Sequence, residues 1–200
     1  MSGSKPIVAT ETGYCTLADT ASAVSPAIAA RYLPRVFLEQ FRQGVARTYW
    51  YELVDEGAAG CDSNYGLLTA TAQPKPAFGA LRQLVAALQD APALPAGTRL
   101  GATISSSDPA LHSLLLGKHD GSYLLALWLE ESGWDVRAGT GRPLAETAAD
   151  VTVQLTADPA SASAGTLTDA GTLQAVATAW SGGATHLRVT GNVTLLSFRP

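Results

Sequence analysis

Acidic side chains that follow two strand-like segments are the candidate chemical groups of this sequence. Glu11 ends a β-branched run, and Glu52, Asp55 and Glu56 lie at the end of a second, aromatic-rich run. Carboxylates act as nucleophiles and as general acids or bases when the fold holds them rigidly. The same residues also fit a solvated acidic loop in which Glu52 pairs with Arg47 or Arg31, so the residues alone leave both interpretations open.

The histidines, aspartates and cysteines do not add a metal site. The three histidines lie in the second half of the chain without the spacing of a ligand set or a catalytic triad, and the aspartates of that half are scattered rather than spaced as a calcium loop. We therefore predict no metal and no cofactor. Cys15 and Cys61 are too few for a disulfide framework, and each follows a predicted strand, so a bond between them and two free thiols both remain open.

Strands and helices alternate in residues 1–90, which we predict to form one βαβα domain. The β-prone runs Lys5–Thr10 and Val45–Leu53 are predicted as strands, the first of them buried. Two amphipathic helical patterns follow these strands, one after each. Strands that alternate with amphipathic helices favour a parallel sheet covered by helices.

The two helices have recognisable start and stop signals. Ser25 is an N-cap followed by proline, and the first helix is expected to end at Gly44. Pro34 lies inside that pattern, so we expect it to kink or split the helix. The second helix is expected to begin in the segment Pro74–Pro76.

The chain changes character after residue 90. Residues 91–97, rich in Pro, Ala and Gly, are predicted as a linker, and residues 98–200 as an antiparallel β-sandwich, because short strand-like runs alternate there with turn signals. Residues 157–165 are rich in Ser and Ala and are expected to form a loop. The predicted strands are Leu111–Leu116, Tyr123–Leu129, Val151–Leu155, Thr172–Thr178, His186–Val189 and Val193–Phe198.

Three patches of the first domain resemble one large clan of glycoside hydrolases, the retaining (β/α)8-barrel enzymes that include many cellulases, mannanases and xylosidases. The segment Lys5–Tyr14 (KPIVATETGY) is similar to the seventh barrel strand of that clan. The segments Arg47–Leu53 and Asp55–Gly57 look like the eighth strand and its loop, and Tyr65–Leu68 with Pro74–Ala77 is similar to the closing segment before the last helix. The patches occur in the clan's order, and the resemblance covers nearly all of the first domain.

The resemblance implies a fold and an activity. The fold is an α/β barrel fragment, the last two βα units of a (β/α)8 barrel, followed by an all-β antiparallel sandwich of the kind appended to several such enzymes. The activity is retaining hydrolysis of O-glycosyl bonds in an oligo- or polysaccharide, with Glu11 as the nucleophile at the C-terminal end of a barrel strand. Retention needs a second carboxylate about 5–5.5 Å away as acid and then base.

The second carboxylate is where this sequence departs from the clan's pattern. In the clan it comes from the fourth barrel strand, which has no counterpart here. Glu52, Asp55 and Glu56 are weak substitutes, because they would flank Glu11 rather than oppose it across a sugar ring. We therefore expect this chain alone to be inactive, as a C-terminal fragment that carries the nucleophile but not the acid/base.

The clan often places an aromatic platform under the sugar at the end of the eighth strand, where Trp50 and Tyr51 lie here. Side chains alternate along a strand, so only one of the two can face the barrel interior, and we favour Trp50. Tyr14, just beyond Glu11, is a candidate pocket wall. Packing in the core is the alternative for Trp50 and Tyr51, and packing against the next loop is the alternative for Tyr14.

A second hypothesis is a non-catalytic module in which the sandwich binds carbohydrate or mediates assembly. A sugar-binding strip on the sandwich would use its tryptophans. Trp128 lies inside an apolar run and is expected to be buried, so the strip requires Trp134 and Trp180 to be exposed.

Charge and hydropathy bear on partners and location. The net charge of −4 and the absence of a Lys/Arg cluster argue against nucleic acid and anionic membranes as partners. No apolar run is long enough to span a bilayer, and the first residues lack a signal peptide. The resemblance implies a secreted or periplasmic parent protein, of which this chain is expected to be a part. A two-stranded parallel sheet has open edges, so we expect either self-association or a missing N-terminal barrel part to cover it.

Overall fold

A computed structural model describes residues 5–17, 22–90, 100–135 and 142–200 of the chain. The chain divides into two compact units. The first comprises Met1–Leu81, Gly133–Leu144 and Asp169–Gly171, and the second comprises Arg82–Ser132, Ala145–Thr168 and Thr172–Pro200. The predicted linker, residues 91–97, lies outside the described residues.

The described residues form two α-helices, one 3₁₀ turn and a series of strands. Neither helix combines the length and the apolar character needed to cross a membrane. In chain order the elements are β1 (Ile7–Thr12), α1 (Pro26–Arg42), β2 (Val45–Trp50), the 3₁₀ turn (Cys61–Ser63), α2 (Pro76–Leu88), β3 (Thr103–Ser105), β4 (Leu111–Gly117), β5 (Tyr123–Leu129), β6 (Trp134–Asp135), β7 (Arg142–Pro143), β8 (Ala148–Gln154), β9 (Ser161–Leu167), β10 (Leu173–Val176), β11 (Ala184–Thr190) and β12 (Thr194–Arg199).

In the first unit β1 and β2 pair in parallel, as predicted, with Ala9 opposite Thr48. Parallel neighbours need a crossover, and α1 supplies it. Its N-cap is Ser25, whose side-chain oxygen accepts a hydrogen bond from the Ile28 amide at 3.2 Å. The buried face of α1, centred on Leu33, packs in a hydrophobic cluster with residues from the segments that follow β1 and β2.

One expectation about the first unit is wrong in part and another is wrong. Of the kink or split expected at Pro34, the split does not occur, because α1 runs unbroken from Pro26 to Arg42. Pro34 is itself buried beside Leu33, so its packing offsets the hydrogen bond that a proline removes from the ladder. The first strand is not buried either: Ile7 is 65% exposed, because β2 is its one strand neighbour among the described residues.

The second unit is an antiparallel sandwich, as predicted. Its strands form a five-stranded sheet in the order β10-β9-β12-β5-β4 and a three-stranded sheet in the order β11-β8-β3. Leu125 and Leu127 of the larger sheet and Val151, Val153 and Val189 of the smaller one share a single hydrophobic core. A core that is built from one face of each sheet defines a β-sandwich.

The Ser/Ala-rich segment, expected to be a loop, is instead strand β9, Ser161–Leu167, in the interior of the larger sheet. It pairs with β12 on one side and β10 on the other. Its small side chains leave room for neighbours: a Cβ atom at Gly165 would lie 2.9 Å from the Leu173 side chain. Packing against two neighbouring strands therefore overrides the low β propensity of this segment.

We predict that the isolated chain self-associates through the first unit. Ile7 and Tyr49 are 65% and 49% exposed, and each strand of the parallel pair has an open edge. Ile7→Lys and Tyr49→Lys should weaken association, because each places a charge on that surface. Sedimentation velocity over a concentration series measures the effect, with Leu173→Lys in the second unit as the control. A monomer at high concentration, or equal effects of all three changes, would contradict this prediction.

Candidate active site

The C-terminal ends of β1 and β2 open onto a cleft with a volume of about 370 Å³. Both strands end at the same edge because they are parallel. Glu11 lies next to the last residue of β1, and its side chain is exposed to the cleft. The lining residues are Glu11, Thr12, Gly13, Tyr51, Asp62 and Tyr65.

A glutamine on α1 holds the strand ends behind Glu11. The Gln40 side-chain amide donates to the Thr12 hydroxyl at 3.4 Å and accepts from the Thr48 hydroxyl at 2.6 Å. Thr12 belongs to β1 and Thr48 to β2, so one side chain bridges both strands and the crossover helix. This network fixes the backbone from which Glu11 projects.

A disulfide joins the segment after β1 to the loop after β2. Cys15 and Cys61 are bonded, with Cα atoms 5.3 Å apart, which settles the question that the sequence left open. Beside it, the Thr16 amide donates to the Asn64 carbonyl at 3.0 Å. The Asn64 side-chain amide in turn donates to carbonyl oxygens within the loop, at 2.7 Å to Gly60. The acidic loop is therefore tied down rather than freely solvated.

The aromatic wall of the cleft is formed by Tyr51 and Tyr65, whose rings meet edge to face at 5.8 Å between centroids. Trp50, which we favoured, does not line the cleft. Its ring stacks on Phe37 at 6.4 Å and packs near Tyr14 at 5.9 Å, and its indole N–H donates to the Tyr65 carbonyl at 3.3 Å. Of the two aromatic residues at the end of β2, Tyr51 lines the cleft and Trp50 does not.

Tyr14 is part of the core of the first unit and not a lining residue of the cleft. Its ring lies 5.4 Å from that of Tyr32 and 5.9 Å from that of Trp50. Tyr65 and Asp62 line the cleft and were missed by sequence reasoning. Tyr65 stood within the closing patch of the resemblance, whereas nothing in the sequence singled out Asp62.

The cleft is electrostatically acidic, as its tyrosine shows. The pKa of the Tyr51 hydroxyl is raised above its usual value, first by the negative charge of Glu52 and then by burial. Glu56, Glu11 and Asp62 raise the pKa further. Among the residues that line the cleft there is no lysine or arginine.

Glu52 is held in the protein and does not line the cleft. Its carboxylate accepts a hydrogen bond from the Tyr65 backbone amide, and its Oε1 atom is buried without a hydrogen-bond partner among the described residues. Burial, and then the charge of Glu56, raise the pKa of Glu52 above its ordinary value. Arg31, one of the two arginines considered as its partner, pairs instead with Asp169 at 2.6 Å.

Asp55 belongs to a buried ion pair with Lys75. Their side chains are 8% and 10% exposed, and the Lys75 ammonium lies 2.6 Å from the Asp55 carboxylate. Lys75 also donates to the Thr16 hydroxyl at 2.8 Å, while Asp55 accepts from the Gly66 amide at 2.8 Å. One ion pair thus links the segment after β1, the loop after β2 and the segment that leads into α2.

The third candidate acid of the loop, Glu56, accepts a hydrogen bond from the Ser63 hydroxyl at 3.1 Å. Glu52, Asp55 and Glu56 are therefore all engaged in local structure, and none lines the cleft. The cleft offers Glu11 and Asp62 as its carboxylates. A carboxylate at a rigid strand end beside an aromatic wall is suited to nucleophilic attack on a sugar.

Among the described residues, neither the tryptophans nor a group of metal ligands forms a second candidate site. Trp128 is fully buried, as predicted, and Trp134 and Trp180 pack against hydrophobic clusters of their own units, so the exposure that a sugar-binding strip requires is absent in all three. Over residues 5–17, 22–90, 100–135 and 142–200, no group of three or more His, Cys, Asp or Glu side chains is arranged to hold a metal ion. The absence of a metal from the chemistry stays a prediction.

Solved structures share this fold, whereas sequence comparisons find no match. No protein-family model matches the chain, and no curated protein matches it in sequence. A family 39 glycoside hydrolase from the gut symbiont Bacteroides cellulosilyticus WH2 is similar in structure, with a TM-score of 0.64, 16% identity, and coverage of 97% of this chain and 34% of that chain.

Two xylanases of glycoside hydrolase family 30 are also similar. The subfamily 8 enzyme from Clostridium acetobutylicum has a TM-score of 0.54 at 10% identity, and the match covers 98% of this chain and 43% of that enzyme. Xylanase C from Talaromyces cellulolyticus has a TM-score of 0.55 at 14% identity, and the match covers 98% of this chain and 41% of that xylanase. The chain therefore has the fold of a part of these glycoside hydrolases and spans between a third and a half of their length.

We predict that Lys75→Met lowers the free energy of unfolding of the first unit by about 3–5 kcal/mol, because it leaves the Asp55 carboxylate buried without its cation. Denaturant titration measures the loss. The control is Arg42→Met, which breaks the more exposed Arg42–Glu39 pair and should cost at most about 1 kcal/mol. Equal losses in the two variants would contradict a structural role for the buried pair.

We predict that Glu52→Gln changes the pH dependence of stability. The raised pKa means that the folded protein binds this proton more tightly than the unfolded chain, so the wild type loses stability as the pH rises above the ordinary value of 4.5. The glutamine can still accept from the Tyr65 amide and has no charge to bury, so the variant should gain relative to the wild type between acidic and neutral pH.

Urea unfolding at a series of pH values tests this gain, with Asp150→Asn as a control because the Asp150 side chain is 91% exposed. A stability difference between wild type and Glu52→Gln that is constant with pH would show that Glu52 is not perturbed in the folded protein.

Proposed function

We propose that this chain is the C-terminal part of a retaining glycoside hydrolase and carries its nucleophile, Glu11. One observation carries the proposal: Glu11 lies at the C-terminal edge of a parallel βαβ unit, in a cleft with an aromatic wall. The similar solved structures support it, because their fold over this region belongs to glycoside hydrolases. The parallel pair then represents the last two strands of a (β/α)8 barrel, whose active sites lie at this edge.

The reaction assigns one step to this chain. The Glu11 carboxylate attacks the anomeric carbon, a carbon–oxygen bond forms to the enzyme, and the bond to the leaving alcohol breaks. The leaving oxygen needs a proton, and a second carboxylic acid supplies it before acting as base for water. Glu52, Asp55 and Glu56 are engaged elsewhere, so we assign that acid to the remainder of the barrel.

Surface properties of the first unit support a barrel that continues beyond this chain. Ile7, Val8 and Tyr49 are exposed apolar side chains on two strands that each have an open edge. In an intact barrel such edges are closed by neighbouring strands. The similar structures are more than twice as long as the part that matches.

The substrate we propose is a neutral oligo- or polysaccharide. Tyr51 and Tyr65 offer apolar ring faces of the kind that pack against the C–H face of a pyranose. Two of the similar structures are xylanases, so xylo-oligosaccharides are the first substrates to test. The Cys15–Cys61 disulfide fits a parent protein that is secreted or periplasmic.

The sandwich is best explained as a structural cap. Trp128 is buried in its core and Trp180 is half-buried against the same core, so no observation favours a sugar-binding role for it.

We predict that an activated 2-fluoro glycoside labels Glu11 in the complete protein, because this probe leaves without acid assistance and requires only a nucleophile. Labelling is measured by intact mass and located by peptide mapping. Glu11→Gln should abolish it, whereas Glu56→Gln should not. The present chain alone should show no turnover, since loss of the acid costs about 10²–10⁴-fold. It should show weak labelling or none, because the rest of the barrel that would position the sugar is missing.

Label on another carboxylate of the complete protein, or glycosidase activity that survives Glu11→Gln, would overturn the assignment. Activity of this chain alone that Glu11→Gln abolishes would keep the nucleophile and require an unexpected acid among its own residues.

A further inference from the structure

We propose that Asp62 is a second substrate-facing carboxylate of the cleft, a binding residue for sugar hydroxyls, and that the Cys15–Cys61 disulfide positions it opposite the strand end that carries Glu11. This inference rests on the proposed function, since it adds a binding residue to the same site.

The first step is the position of Asp62. It lies in the 3₁₀ turn Cys61–Ser63, and its side chain lines the cleft that Glu11 also lines. Asp62 is exposed, and its carboxylate accepts no hydrogen bond from the described residues. A carboxylate with free acceptor positions, facing a cleft beside a nucleophile, is available to a ligand.

The second step is the attachment of Asp62. The residue before it, Cys61, is bonded to Cys15, in the segment that follows Glu11. Cys15 is 2% exposed and thus anchored in the first unit, whereas residues 56–60 of the loop are exposed. The disulfide therefore connects the wall of the cleft covalently to the strand end that holds the nucleophile.

The third step is the chemistry of the ligand. A carboxylate is an acceptor with two oxygens, so it suits a pair of adjacent hydroxyl groups on a sugar ring. No lysine or arginine of the described residues lines the cleft, and Lys75, whose charge acts on nearby Glu52, is held in its ion pair with Asp55. A uronic acid would meet like charges here, so the site selects neutral sugars.

The neighbouring tyrosine provides an independent readout of this geometry. The charge of Asp62 contributes to the raised pKa of Tyr51, together with Glu52, Glu56 and Glu11. Asp62→Asn should therefore lower the pKa of Tyr51, measured by NMR of ring-labelled tyrosine with Tyr51→Phe to assign the signal. Asp150→Asn, a change on the sandwich, is the control and should leave the pKa unchanged.

The disulfide is tested in the same readout. Mild reduction of the wild type, or the double change Cys15→Ser and Cys61→Ser, should lower the pKa of Tyr51, because the loop is released. In the released protein Asp62→Asn should have little further effect. If Asp62→Asn lowers the pKa of Tyr51 as much without the disulfide as with it, the disulfide does not position Asp62. If Asp62→Asn leaves the pKa of Tyr51 unchanged both with and without the disulfide, Asp62 does not lie at the cleft.

Binding is tested with xylotriose as the neutral probe and an aldobiouronic acid as the anionic one, by titration of backbone amide shifts of the chain. Asp62→Ala should weaken xylotriose about tenfold or more, as expected when a charged hydrogen-bond partner is lost. Asp62→Asn should reduce the discrimination against the anionic probe. Glu11→Gln serves as the second cleft variant, and circular dichroism verifies that all variants fold.

The outcomes separate the two proposals. Unchanged xylotriose binding in Asp62→Ala, with binding altered by Glu11→Gln, would refute the role of Asp62 and leave the proposed function intact. Failure of the wild type to bind either probe would count against the proposed site and against Asp62 as a substrate-facing residue, while the Tyr51 titration still decides the positioning role of the disulfide.

Discussion

The parallel pairing of β1 and β2 is the constraint on which the candidate site depends. Parallel strands must be joined by a crossover, and α1 is that crossover, so the C-terminal ends of both strands meet at one edge. Glu11 and Tyr51, distant in sequence, converge for this reason alone. The same arrangement exposes Ile7 and Tyr49, because two strands cannot cover their own apolar faces.

Three interactions of different physical character hold the two strand ends together. The Gln40 network fixes the strand backbones, and the buried pair of Lys75 with Asp55 joins the segments beyond them. The disulfide spans a sequence separation of 46 residues, for which chain entropy gives a stabilisation of about 4 kcal/mol. A buried ion pair is only weakly screened by salt, whereas a disulfide depends on the redox environment. Added salt should therefore loosen these segments little, whereas a reductant should release the disulfide.

Much of the fold followed from local pattern, and the failures have physical causes. The N-cap at Ser25 and the continuous apolar run of β5 are local signals, and the structure has both elements. Strand β9 forms because two neighbours pair with it, and a window of Ser, Ala and Gly contains no trace of those neighbours. Helix α1 continues through Pro34 because that residue is buried, which is again a tertiary effect.

The position of Glu11 at a strand end was predictable from the sequence, whereas the walls of the cleft were not. Glu11 lies at a strand end, and strand ends can be located from sequence. Asp62 lines the cleft from a 3₁₀ turn whose first residue, Cys61, is disulfide-bonded, and the sequence left that disulfide open. Tyr51 replaces Trp50 at the cleft because the indole packs inward against Phe37, a choice that simple alternation cannot make.

The inventory of carboxylates shapes what chemistry this chain can perform. Five acidic residues surround the strand ends, yet Asp55 neutralises Lys75, Glu56 accepts from Ser63, and the remaining loop glutamate is partly buried. That leaves Glu11 and Asp62 facing the cleft. Both side chains are exposed. Under the proposed function Glu11 is the nucleophile and Asp62 a hydroxyl acceptor, so the proton for the leaving group has to come from the rest of a complete barrel.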